Sequence, residues 1–107
     1  MQQLMVQELA EWLADSQRVA PVLLDVREPW EHEQGHIKGT MLMPMHTVPL
    51  RLSELQPDAP VVCICHHGGR SMQVATFLQS KAFATVYNLA GGMDHWSQFV
   101  DSSIKRY

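Results

Sequence analysis

Cys65, Arg70 and Ser71 are the residues whose types and spacing could do chemistry. They fall in the run Val61-Val62-Cys63-Ile64-Cys65-His66-His67-Gly68-Gly69-Arg70-Ser71. It reads as a strand, a cysteine at the strand's end, a glycine pair, a cation, a hydroxyl and the start of a helix. In open α/β sheets ligands bind beyond the carboxyl ends of the strands, which is where Cys65 must lie. Gly68 and Gly69 permit backbone angles that turn several amide N–H groups toward one point. A helix starting near Arg70 adds about half a positive charge at its N-terminus. Together these features make an anion-binding concavity around a thiol and favour its nucleophilic thiolate form. Arg70 brings planar donors suited to an incoming anion, and Ser71 can cap the helix or donate to the sulfur. A cysteine at a strand end would mean little alone, because buried inert cysteines are common. Its neighbours give it meaning.

The other reactive side chains near this run read differently. Cys63 is embedded in the strand and belongs to the core. His66 and His67 stand at the mouth of the pocket, where protonation near neutrality would help attract anions. Thiolate and imidazole ligands suit zinc or copper. Adjacent residues do not readily all face one ion, so no metal is expected. Asp25 and Arg27, two apart at the end of another strand, lie on one side of it. His36 reads as a hydrogen-bonded structural histidine, and Trp12 and Trp96 as packing residues at helical positions. Gly35, Gly39, Gly91 and Gly92 suit turns with positive φ.

The elements that must position these residues follow from the apolar pattern. Val22-Leu23-Leu24-Asp25-Val26 and Val61 to Cys65 are nearly continuous apolar runs, as in parallel strands covered on both faces. Met41-Leu42-Met43 and Val86-Tyr87-Asn88-Leu89 are weaker strand candidates. Val6, Leu9, Ala10 and Leu13 form one helical stripe, and Val74, Ala75, Phe77 and Leu78 another within Ser71 to Lys81. The prolines at 21, 29, 44, 49, 57 and 60 are expected between elements. Alternating strands and helices of this length predict βαβ crossovers in a doubly covered α/β domain.

The bulk properties set limits. A chain of 107 residues fits one domain, residues 1–107, able to bury roughly two-thirds of its unfolded surface without disulfides or metal. Hydrophobic residues make up 46% and charged residues 18%, and the net charge is −3. The eight Lys and Arg residues are scattered, so no basic field speaks for nucleic acid. No segment is apolar for long enough to span a membrane, and the N-terminus lacks the charged and apolar pattern of a signal peptide. Cys63 and Cys65 are too close to bridge without strain, which fits a reducing compartment. The expected location is the cytoplasm.

Cys65-His66-His67-Gly68-Gly69-Arg70-Ser71 resembles the active-site loop of rhodanese-like sulfurtransferases. Three further stretches resemble the same family in the same order. They are Leu24-Asp25-Val26-Arg27-Glu28, Gly35-His36-Ile37-Lys38-Gly39-Thr40 and Leu89-Ala90-Gly91-Gly92-Met93-Asp94-His95-Trp96. The resemblance runs from about residue 4 to residue 100. It implies a three-layer α/β domain with a mainly parallel central sheet flanked by helices on both faces. It also implies a two-step exchange: Cys65 takes sulfur from a donor such as thiosulfate or a protein persulfide, then yields it to cyanide or a thiol. Cys65 would be the catalytic residue, and His66, His67, Gly68, Gly69, Arg70 and Ser71 would bind substrate. Asp25 and Arg27 would give structural support. No cofactor is implied, and the partners would be small-molecule sulfur donors and acceptors or a thiol protein. A monomer or weak dimer is expected.

Two rivals follow from the same resemblance. Cysteine-dependent phosphatases and arsenate reductases on related folds place five residues between cysteine and arginine. Here there are four, a cradle sized for one sulfur atom. Catalytically silent docking modules typically replace the loop cysteine, which this chain keeps. One departure from the family is Lys81-Ala82-Phe83, which lacks the glycine often found after the helix that follows the loop. A non-glycine residue in the left-handed region there would cost about 1 kcal/mol.

Overall fold

In the computed structural model, which describes residues 1–107, every sheet pairing is parallel. The chain runs β1 (Gln2–Leu4), α1 (Val6–Ala14), β2 (Val22–Asp25), α2 (Pro29–Gln34), β3 (Met41–Leu42) and a 3₁₀ segment (Met45–Glu54). It continues with β4 (Val61–Ile64), α3 (Gly69–Ser80), β5 (Val86–Leu89) and α4 (Gly92–Phe99). The strand order is β1-β5-β4-β2-β3. The two most apolar strands, β2 and β4, are thus interior, in register Leu24 to Cys63 and Asp25 to Ile64.

Side chains alternate across a strand, and the alternation sorts the core into two halves. Val61, Cys63 and Cys65 join Leu24, Val74, Ala75, Leu78 and Phe83 on the face covered by α3 and the 3₁₀ segment. Val62 and Ile64 join Leu9, Trp12, Leu23, Leu89, Met93 and Trp96 on the face covered by α1 and α4. This is the three-layer α/β arrangement expected. Cys65 therefore leaves the sheet on the α3 side, with α4 across the strand. No helix is long and apolar enough to cross a membrane.

Several local features differ from the sequence expectation. α3 starts at Gly69, one residue before the expected start near Arg70, because Gly68 already makes the left-handed turn that opens it. Pro29 and Pro49 lie inside elements. Pro29 is the first residue of α2, where a missing N–H costs nothing, and Pro49 sits in the 3₁₀ segment, which kinks at Arg51. Neither element has the apolar stripe that marks a helix: the one buried residue of α2 is Glu31, and that of the 3₁₀ segment is Val48. β1 carries no apolar run in the sequence for the same reason, having only Leu4 buried. The glycine-free stretch after α3 does use the left-handed region, at Ala82 with φ 66°. Phe83 is thereby turned into the core, where it is 4% exposed.

Candidate active site

Cys65 follows the last residue of β4 and is 1% exposed. Its Sγ accepts the backbone N–H of Gly68 at 3.0 Å and lies 3.3 Å from the Ser71 hydroxyl. The loop that achieves this depends on Gly68, with φ +113°, whose absent Cβ would sit 3.4 Å from both Gly91 N and Leu89 O. α3 begins at the next residue, and its first amides have no carbonyl one turn earlier to bond. The sulfur thus faces the positive end of a 12-residue helix.

The far side of the loop is fixed by the start of α4. Met93 N–H donates to Cys65 O at 2.9 Å, and Asp94 N–H to His66 O at 3.0 Å. A trans peptide holds its N–H opposite its C=O, so the N–H groups of His66 and His67 turn away from α4. Gly92, with φ +56°, allows this approach: a Cβ there would collide with the carbonyl oxygens of Cys65 and His66. The Gly91-Gly92 pair is therefore part of the site's scaffold and more than a turn.

Asn88, on β5, closes the site from beneath. Its Nδ2 donates to Gly68 O at 3.2 Å and to Gln3 Oε1 at 2.9 Å. Its Oδ1 lies 2.5 Å from Ser71 Oγ, which donates to it. Cys63, one turn of the pleat below Cys65, is fully buried, and burial pushes its thiol up to about 12. It stays protonated and packs as core.

The charged residues form one network beside the loop. Arg27 and Asp25 are both fully buried and paired side on, with Nε to Oδ1 at 2.9 Å and Nη2 to Oδ2 at 2.7 Å. Arg27 also donates to Gly35 O at 2.9 Å and to the Tyr107 hydroxyl at 3.0 Å. Tyr107 in turn donates to Glu31 Oε2 at 2.8 Å. Arg70 grips the same carboxylate with both terminal nitrogens, at 2.6 and 2.8 Å. The Arg70 fork holds the Glu31 carboxyl down at about 2, with help from the Glu28 N–H and Tyr107 against the opposing effect of burial. The cation that the sequence placed on an incoming anion is thus already engaged by a carboxylate.

His66 has its ring 4.2 Å from that of Tyr107 and 4.0 Å from that of His67, centroid to centroid. Burial, then the neighbouring His67, shifts its titration below the ordinary histidine value, so it is uncharged at neutral pH. Its Nδ1 is buried without a partner. His67 and Gly69 are exposed. Of the residues singled out from sequence, Cys65, Gly68 and Ser71 meet at the sulfur. His66 and Arg70 form a rim with Glu31 and Tyr107, and Asp25 with Arg27 supports that rim from within.

Sequence reasoning missed Glu31, Asn88 and Tyr107. Asn88 did carry a signal, being an amide within the apolar run 86–89, since a buried amide needs partners. Glu31 and Tyr107 carried none that could be read locally.

Comparison with known proteins bears on the family and the fold. The model of the rhodanese-like domain matches residues 5–99. A protein named sulfurtransferase from Allochromatium vinosum is 38% identical over 92 residues, covering 86% of this chain and 84% of that protein. The thiosulfate sulfurtransferase GlpE of Stutzerimonas stutzeri is 31% identical, covering 78% of this chain and 77% of its own. Among solved structures, SSP1007 of Staphylococcus saprophyticus superposes with a TM-score of 0.83 at 31% identity, over 98% of this chain and 99% of that one. The chain belongs to the rhodanese-like domain family, the family of the sulfurtransferases it resembles.

Proposed function

We propose that Cys65 carries sulfane sulfur as a persulfide between a donor and an acceptor nucleophile. In the first half-reaction the Cys65 thiolate attacks the outer sulfur of the donor. A new S–S bond forms, and the donor's remainder leaves with the electron pair of the broken bond, as sulfite when the donor is thiosulfate. In the second, a thiolate or cyanide attacks the outer sulfur, and Cys65 leaves as thiolate. This is covalent catalysis with two displacements on one nucleophile.

The observation that carries the reading is the buried Cys65 Sγ with the Gly68 N–H aimed at it from 3.0 Å, at the mouth of α3. The cradle of His66, His67, Gly68, Gly69, Arg70 and Ser71 offers fixed amide dipoles where negative charge resides on the sulfur or its cargo. Thiosulfate as donor is supported by the name of the GlpE relatives, and a persulfide-bearing thiol protein fits the same displacement. Two free cysteines suit work in a reducing compartment such as the cytoplasm.

Steady-state kinetics with thiosulfate and cyanide test it. Two displacements through one enzyme form give parallel double-reciprocal lines, and Cys65→Ser abolishes turnover. Turnover surviving in Cys65→Ser would overturn the proposal.

A further inference from the structure

Asn88 touches both groups that face the sulfur, and counting hydrogens shows how. The Gly68 carbonyl can only accept, so the end of Asn88 that lies 3.2 Å from it must be the Nδ2 amide. The second Nδ2 hydrogen goes to Gln3 Oε1 at 2.9 Å. Oδ1 is thereby turned onto Ser71 Oγ at 2.5 Å. An amide oxygen brings no hydrogen, so the one between them is Ser71's only proton. Cys65 Sγ, at 3.3 Å, carries a proton of its own in the resting thiol and can donate in place of accepting. Ser71 therefore meets the sulfur with its lone pairs and accepts the S–H of the resting thiol.

The consequence differs between the forms of Cys65. Once the thiol is ionised, the Ser71 lone pairs face a thiolate. They can be replaced by a donor only if the hydroxyl swings off Asn88, which leaves the buried amide oxygen unpaired. The thiolate is left with the Gly68 N–H as its neighbour in the loop. A thiolate with fewer donors is the stronger nucleophile. In the persulfide, Sγ is a neutral divalent sulfur that needs no donor, and the Ser71–Asn88 bond stays intact. We infer that Asn88 is a positioning residue that holds the Ser71 proton away from Cys65, keeping the free thiolate reactive and favouring its conversion to the persulfide.

The inference rests on Cys65 being the nucleophile but is read without any sulfur donor, so it stands or falls separately from the sulfur-transfer assay. The measurement is the pH profile of Cys65 alkylation by iodoacetamide, with Cys65 and Cys63 resolved by peptide mass. Asn88→Ala frees the Ser71 hydroxyl to turn onto the thiolate. The midpoint should move to lower pH by about half a unit, and the plateau rate should fall roughly twofold, since nucleophilicity drops with basicity. In a Ser71→Ala background the same substitution should move neither, because the relay is already cut. Asn88→Ser, too short to hold Gly68 and Ser71 together, replaces Asn88→Ala in both backgrounds if the alanine variant does not fold. An unchanged midpoint, a shift to higher pH, or an equal shift with and without Ser71 would each overturn the inference.

Discussion

Glu31 takes four hydrogen bonds on one buried carboxylate: two from Arg70, one from the Glu28 N–H and one from the Tyr107 hydroxyl. Its folded carboxyl titrates near 2, against an unfolded value near 4.5. A depressed acid contributes stability that is complete above the unfolded value and lost as the pH falls through the folded one. Glu31→Gln should therefore be less stable than the parent at pH 7 by about 2 kcal/mol, a figure reduced because Arg70 is partly exposed. The difference should shrink between about pH 4.5 and 2 in urea titrations. A constant difference across that range would remove the ionic part of the explanation. Tyr107→Phe tests the same network from its other end. It removes one hydrogen bond from Arg27 Nη1 and one from Glu31 Oε2, which keeps its bond from Arg70, and should cost about 1 kcal/mol by the same titration.

At the scale of elements, the loop is held by two helix starts pulling on opposite sides of the same peptides. α3 presents its N-terminus to the sulfur, and α4 receives the carbonyls of Cys65 and His66. Gly92 and Gly39 separate strain from contact. Both have positive φ, but a Cβ at Gly92 strikes the loop carbonyls while one at Gly39 meets nothing within 4 Å. Gly39→Ala should cost about 1 kcal/mol and leave sulfur transfer unchanged. Gly92→Ala should cost more than that in the same urea titration and lower sulfur transfer by at least about tenfold, because misplacing a catalytic group by an ångström has effects of that order or larger. Equal activities in the two variants would show that α4 does not set the loop. Ala82, held at φ 66°, offers the reverse case. Ala82→Gly should raise stability by roughly 0.5–1 kcal/mol, visible as a higher melting temperature.

Across the whole molecule, what could be read from sequence was what is encoded over short distances. β2 and β4 announced themselves as continuous apolar runs, and the Cys65 loop as a strand end, glycines and a helix start. α2, the 3₁₀ segment and β1 bury too few apolar residues to leave a stripe. The contacts that complete the site are long-range: Arg70 with Glu31 spans 39 positions, Tyr107 with Glu31 spans 76, and Asn88 with Gln3 spans 85. Nothing local in Glu31 or Tyr107 says that they will meet, because the parallel sheet brings them together through its crossovers. The same topology gathers the first strand, the last strand and the last residue around the end of β4. The sulfur-bearing role proposed for Cys65 therefore rests on the assembled sheet as much as on the seven-residue loop. Its most direct test is mass spectrometry of the intact protein and its peptides after exposure to thiosulfate. The Cys65 peptide should gain the mass of one sulfur atom, lose it on addition of cyanide or a thiol, and gain nothing in Cys65→Ser. No added sulfur, or sulfur on Cys63 alone, would contradict the central claim.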